Sequence, residues 1–148
     1  MTTSPQNGLS STIECFAFRS RPHEDLKQTI LEFAIANTIS AGAIVTAVGS
    51  LEQFNLRYAN RKEGVLKKGY FEILSLAGTF SHSSSHLHLC VSSSTGKTYG
   101  GHLLDGNLIY TTAEIVLIKL SDLVFDRAVD PSYNFKELVV ALKQEKKQ

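Results

Sequence analysis

The sequence predicts an α+β domain, a mostly antiparallel β-sheet flanked by a few helices. Three observations carry that prediction. Short apolar runs punctuated by Gly, Asn, Asp and Ser fill residues 42–120. Apolar residues recur at helical spacing only toward the two ends of the chain. Strands and helices do not alternate as they would in βαβ units, and no internal repeat or low-complexity segment is present.

Taken in order, Ile13 to Arg19 (IECFAFR) is short, apolar and partly aromatic, which predicts a strand, and Pro22 opens a segment of different period. Leu26, Ile30, Phe33 and Ala34 then fall on one helical face, with Glu24 and Asp25 where a helix dipole favours negative charge. Gly42 is read as the left-handed cap of that helix. Gly42 to Tyr58 holds two extended runs separated by a bend near Gly49 and Ser50, and the polar segment Ala59 to Gly69 reads as a hairpin connection. Tyr70 to Phe80, Leu87 to Ser92, Thr98 to Leu104 and Leu108 to Leu120 continue as strands, with Gly96 and Asp105-Gly106 as turns. At the carboxyl end Phe135, Leu138, Val139 and Leu142 share a helical face, and Asn134 with Glu137 resembles a capping box, so a second helix is expected there.

A length of 148 residues with 43% hydrophobic content suits one domain with an ordinary core. Residues 1–12 read as a frayed polar tail, 13–142 as the domain and 143–148 as a charged tail. No basic start followed by an apolar stretch marks a signal peptide, and no apolar run approaches the roughly 20 residues of a membrane-spanning helix. The expectation is a soluble intracellular protein, cytoplasmic or nuclear, without a membrane partner. Cys15 and Cys90 are the only cysteines, and their apolar flanks predict buried thiols rather than a disulfide or a thiolate metal site. A formal charge of +1 argues against a protein that grips nucleic acid by its phosphates. The densest basic cluster, Arg57, Arg61, Lys62, Lys67 and Lys68, is read as a solvated surface.

The chemistry-bearing pattern is SHLHLCV. His86 and His88 stand two apart, so on a strand their side chains share one face with Cys90 while Leu87, Leu89 and Val91 take the other. If the next strand folds back through a turn within Ser93 to Gly96, paired positions add to about 190, which sets His102 opposite His88. Gly100 and Gly101 would permit a bulge that re-aims His102. Three imidazoles converging this way form the ligand set of a zinc site with an open fourth position. Nickel, copper and iron accept imidazole as well. The bland alternative is a hydrogen-bonded, metal-free cluster on a hydrated or subunit-facing surface. His82 is a weaker fourth candidate in a serine-rich loop, and His23 has no evident partner.

Several stretches together resemble the PPC domain family (plants and prokaryotes conserved). They are EDL at Glu24 to Leu26, SAGAIVTAVGSL at Ser40 to Leu51, GYFEILSLAGTFS at Gly69 to Ser81, HLHLCVSSSTGKTYGGHLLDG at His86 to Gly106, and TTAEIVL at Thr111 to Leu117. The resemblance implies an antiparallel sheet flanked by helices, a homotrimer, and metal binding by the histidines matching His86, His88 and His102. Glu114, within TTAE, is a candidate acid/base or supporting carboxylate. Plant members carry an Arg-Gly-Arg-Pro arm for the minor groove; Arg19-Ser20-Arg21-Pro22 lacks its glycine and joins a strand to a helix. The expected function is therefore a stand-alone trimeric protein that binds a divalent metal, zinc foremost, with a small-molecule ligand and an enzymatic role open. The alternative is a DNA-binding or transcription-related module.

Overall fold

The protein is described by a computed structural model covering residues 8–132 and 134–144. Among them are eight strands and one helix: β1 (Ile13–Ser20), α1 (Leu26–Ala36), β2 (Gly42–Arg57), β3 (Val65–Phe80), β4 (Ser85–Ser93), β5 (Thr98–Leu103), β6 (Leu108–Leu120), β7 (Leu123–Asp130) and β8 (Phe135–Leu142). Residues 1–7 of the expected amino-terminal tail and 145–148 of the expected charged tail lie outside the described residues. Thr12 is tied to the domain, its backbone N–H donating to Asp122 at 2.7 Å.

Six strands form an antiparallel sheet in the order β1-β6-β2-β3-β4-β5. β2 is 16 residues long, enough to pair with β3 and β6 along its length and to meet β5 near its end, at Leu56↔Leu103 and Arg57↔His102. That last pairing curls β2 to β5 back on itself. Two features make it possible. Gly101 is one: a Cβ there would lie 2.7 Å from the Arg57 carbonyl oxygen, so only glycine lets β2 approach so closely. Asn107 is the other. It is fully buried, its Oδ1 accepts from the Asn55 N–H at 2.9 Å and its amide donates to the Leu104 carbonyl at 2.6 Å.

The concave side of the curl holds the core. Leu26, Ile30 and Ala34 of α1 are fully buried against Leu51, Phe54 and Leu56 of β2, Leu87, Leu89 and Val91 of β4, and Ile109 and Ile115 of β6. Each such aliphatic side chain contributes about 1.5–3 kcal/mol by leaving water. Asp25 caps α1, accepting from the N–H groups of Lys27 (2.9 Å) and Gln28 (3.1 Å). Its other oxygen accepts from the N–H groups of Gly106 and Asn107. One carboxylate thus starts the helix and fastens the turn before β6.

Four expectations are corrected. First, the carboxyl-terminal helix is strand β8, which pairs with β7 from Leu123↔Leu142 to Asp130↔Phe135. Leu138 to Leu142 is an unbroken apolar run, which fits a strand as well as a helix, and β7 offers the ladder that decides. Asn134, read as a cap, has φ 58° and sits in the β7–β8 turn, its N–H bonded to the Asp130 carbonyl at 2.8 Å. The sheet accordingly carries one helix rather than a few. Second, α1 ends at Asn37 with Thr38 at φ 48°, and Gly42 instead opens β2. Third, Gly49 and Ser50 do not separate two strands; β2 runs on through a register irregularity there, with Gly49 at φ 149°. Fourth, Cys15 is exposed on the outer strand β1 and Cys90 is half-buried, so neither thiol is sealed in the core.

Candidate metal centre

On β4 the two-residue period places Leu87, Leu89 and Val91 in the core, at most 1% exposed, and turns His86 and His88 to the convex face. The β4–β5 register runs from His88↔His102 to Ser92↔Thr98, so the third imidazole stands opposite the second. The turn lies where the sequence places it, with the Ser93 N–H bonded to the Lys97 carbonyl at 2.9 Å and Gly96 at φ 79°. The expected bulge at Gly100 and Gly101 is absent, because the β4–β5 ladder is regular; Gly101 serves the approach of β2 instead.

The three rings lie with centroids 5.1 Å (His86–His88), 5.2 Å (His86–His102) and 5.8 Å (His88–His102) apart. One nitrogen from each comes within 4.8 Å of the other two. The Nε2 atoms of His86 and His88 are 3.3 Å apart. Two imidazole nitrogens bound tetrahedrally at about 2.0–2.1 Å from a zinc ion stand about 3.3 Å apart, so this separation suits a shared ion as well as the hydrogen bond between the two rings. His102 Nδ1 is buried and has no hydrogen-bond partner. The donor set therefore fits a divalent metal ion.

Electrostatics favour the neutral, ligating form. Burial, then the charge of Arg57, lowers the pKa of His102 from 6.5 to about 4. Burial, then Arg127, lowers that of His86, against a smaller upward pull from Glu137. Arg127 reaches His86 Nδ1 at 3.5 Å and Thr79 Oγ1 at 3.4 Å.

The other candidates lie elsewhere. His82 is exposed in the β3–β4 loop, its Nδ1 3.3 Å from the Ile39 carbonyl, and stands outside the group. His23 has a partner after all, Glu52 Oε1 at 2.8 Å. Glu114 is exposed on β6, opposite Arg19 and Val48, with β2 and β3 between it and β4. The carboxylate that lines the space beside the imidazoles is Glu137 of β8, with Arg57 of β2 and Arg127 of β7. The sequence singles out none of the three as a site residue. Arg57 stands in a basic cluster that reads as surface, and the other two belong to a hairpin half of which reads as helix.

Fold and site together define a small antiparallel β protein with a three-imidazole candidate centre on a hairpin of its sheet. The family model described as the Plants and Prokaryotes Conserved (PCC) domain matches residues 10–121, and the chain belongs to that family. Over 134 residues it is 42% identical to the bifunctional protein GlmU of a Synechococcus strain, covering 90% of this chain and 22% of that protein. The chain thus spans about a fifth of the curated relatives it matches. A hypothetical protein from Salmonella is similar at TM-score 0.91 and 32% identity, covering 93% of this chain and all of that one. A protein of Archaeoglobus fulgidus described as metal-containing is similar at TM-score 0.77 and 26% identity, covering 90% of this chain and 99% of that one. A Bacteroides thetaiotaomicron structure whose description suggests DNA binding has TM-score 0.74 at 20% identity, covering 88% and 98%, a likeness of fold alone.

Proposed function

We propose that this protein binds one divalent metal ion, zinc foremost, through His86, His88 and His102, and works as a homotrimer. The observation that carries the metal reading is the convergence of three imidazole nitrogens within 4.8 Å, with one pair at the 3.3 Å spacing of a tetrahedral site. The Archaeoglobus relative described as metal-containing supports it. An ion held by three imidazoles supplies a Lewis acid with a position left for water or a ligand. The chain's own part is to hold the rings. Leu87 and Leu89 anchor the strand from below, and desolvation favours the neutral form of His86 and His102. Self-association draws support from the exposed apolar side chains Val45, Val48, Tyr70, Leu74 and Tyr110 on β2, β3 and β6.

Metal content of purified protein, measured beside His88→Ala and His102→Ala, tests the first part. Stoichiometric metal in the parent chain and little in either variant is the expected result; equal content in all three removes the reading. Sedimentation at micromolar concentration tests the second, and a monomer removes the trimer.

The competing reading is a DNA-associated or regulatory module, motivated by the family resemblance and by the basic cluster at Arg57, Arg61, Lys62, Lys67 and Lys68. It requires binding to duplex DNA that weakens steeply with salt. The near-zero net charge favours the metal reading instead.

A further inference from the structure

Beside the imidazoles lies a cleft of about 310 Å³ whose walls include Arg57, Ser85, His86, His102, Arg127 and Glu137. Its size is at the lower end of small-molecule sites, about 300–1,000 Å³. Its charge is lopsided: Arg57, Arg127 and Lys136 face a single carboxylate, Glu137. Among the described residues the ion pairs within 4.0 Å are His23–Glu52, Lys27–Asp105 and Lys119–Glu14, so neither arginine has an acidic partner.

Arg57 and Arg127 are half-buried residues whose guanidiniums make few contacts within the protein. Each carries five N–H donors. Arg127 makes only long contacts, 3.4 Å to Thr79 Oγ1 and 3.5 Å to the Lys136 carbonyl and His86 Nδ1, and Arg57 reaches the Arg61 carbonyl at 3.5 Å. Good N–H···O bonds are about 2.7–3.2 Å long.

Two positive groups beside a cation site repel the ion, and an anion between them relieves that repulsion. Tautomer chemistry points the same way. If His86 gives Nε2 to an ion, its ring proton sits on Nδ1, which then cannot accept from Arg127. Arg127, which lines the cleft, would then keep only its long contacts to Thr79 Oγ1 and the Lys136 carbonyl.

We propose that this cleft binds a small oxyanion, a carboxylate or phosphate group, held by Arg57 and Arg127 beside the three-histidine centre. The proposal rests on the metal reading and names the class of ligand that completes it. β7 and β8 supply Arg127, Lys136 and Glu137, and this hairpin lies beyond residues 10–121 matched by the family model. The cleft is therefore built jointly by the sheet, which supplies Arg57 and the imidazoles, and by the β7–β8 hairpin, which supplies Arg127 and Glu137.

The test uses the full chain loaded with cobalt(II), whose visible bands report changes at the ion, titrated separately with inorganic phosphate and with acetate. At least one should give saturable heat and a spectral shift, and the tighter of the two identifies phosphate or carboxylate. Arg127→Gln should bind as much cobalt as the parent but hold the anion at least tenfold more weakly. Arg127→Lys should recover only part of the loss, because an ammonium cannot make the two-pronged contact. Arg57→Gln should behave like Arg127→Gln. Cobalt-loaded protein showing neither heat nor shift with either anion overturns the oxyanion site and leaves the metal reading standing. So does unchanged anion affinity in both glutamine variants. A parent chain that takes up no cobalt overturns the metal reading, and this inference with it.

Discussion

Two hairpins meet at the cleft, and they are built differently. β4–β5 is embedded in the six-stranded sheet, its inner face sealed by Leu87, Leu89 and Val91 and its edge joined to β2. β7–β8 is a two-stranded sheet of its own, and every residue of β8 is exposed. What holds it is the small cluster of Leu123 and Phe125 with Ala41 and Leu120, together with the Phe125 N–H bonded to the Ser40 carbonyl at 2.9 Å. A lone two-stranded hairpin is marginal in water. The inner hairpin therefore fixes the imidazoles, and the outer one brings Arg127 and Glu137 beside them.

The sharpest test of that contrast is core truncation. Leu89→Ala, beneath the histidines, should destabilise by about 2–5 kcal/mol. For a chain of this size that lowers Tm by roughly 5–15 °C. A calorimetric shift of under about 2 °C would show that the inner hairpin does not depend on its core contacts.

Metal removal comes next. If the triad holds an ion, chelation should lower stability by about 2.7 kcal/mol where free metal had stood at a hundred times its Kd. His102→Ala should erase the difference between chelated and metal-supplemented melts. A chelator effect that persists in His102→Ala places the ion elsewhere.

Acid should act on the inner hairpin without any metal. The folded pKa of His102 lies below its ordinary 6.5, at about 4, so between these values the unfolded chain binds more protons than the folded one. Stability is then full above about pH 6.5, falls as pH drops toward 4, and falls no further through this group below that. His86 shifts in the same direction. Chelated wild type and His102→Gln, melted across this range, should diverge in slope; parallel curves would contradict the desolvation of the ring.

The smallest effect belongs to the outer hairpin. Val139→Ala, on an exposed strand, should change stability by no more than about 0.5 kcal/mol. A loss approaching that of Leu89→Ala would mean that β8 is covered by something beyond the described residues.

The histidine cluster was legible because both of its premises are local. A period of two puts His86 and His88 on one face, and a short turn ending near Gly96 sets His102 opposite His88. The roles of Gly101 and Arg57 were not legible, since they depend on β2 meeting β5 across more than forty residues of intervening chain. β8 was misread because Phe135, Leu138, Val139 and Leu142 satisfy a helical period while Leu138 to Leu142 equally suits a strand. That error hid Glu137 as a neighbour of the imidazoles, and with it the cleft wall.

By itself the sequence determined the family, the antiparallel succession of strands from β3 to β6, the helical face of Leu26, Ile30 and Ala34, and the side of β4 on which its histidines stand. Alternation, turn residues and caps act between near neighbours, and their geometry is fixed by the backbone. Only the tertiary structure decided that the sheet curls, that the last segment pairs as a strand, and that two arginines without acidic partners among the described residues flank the imidazoles. Those outcomes follow from long-range pairing and shared burial, where the free energy belongs to surfaces that meet and not to any one stretch of chain.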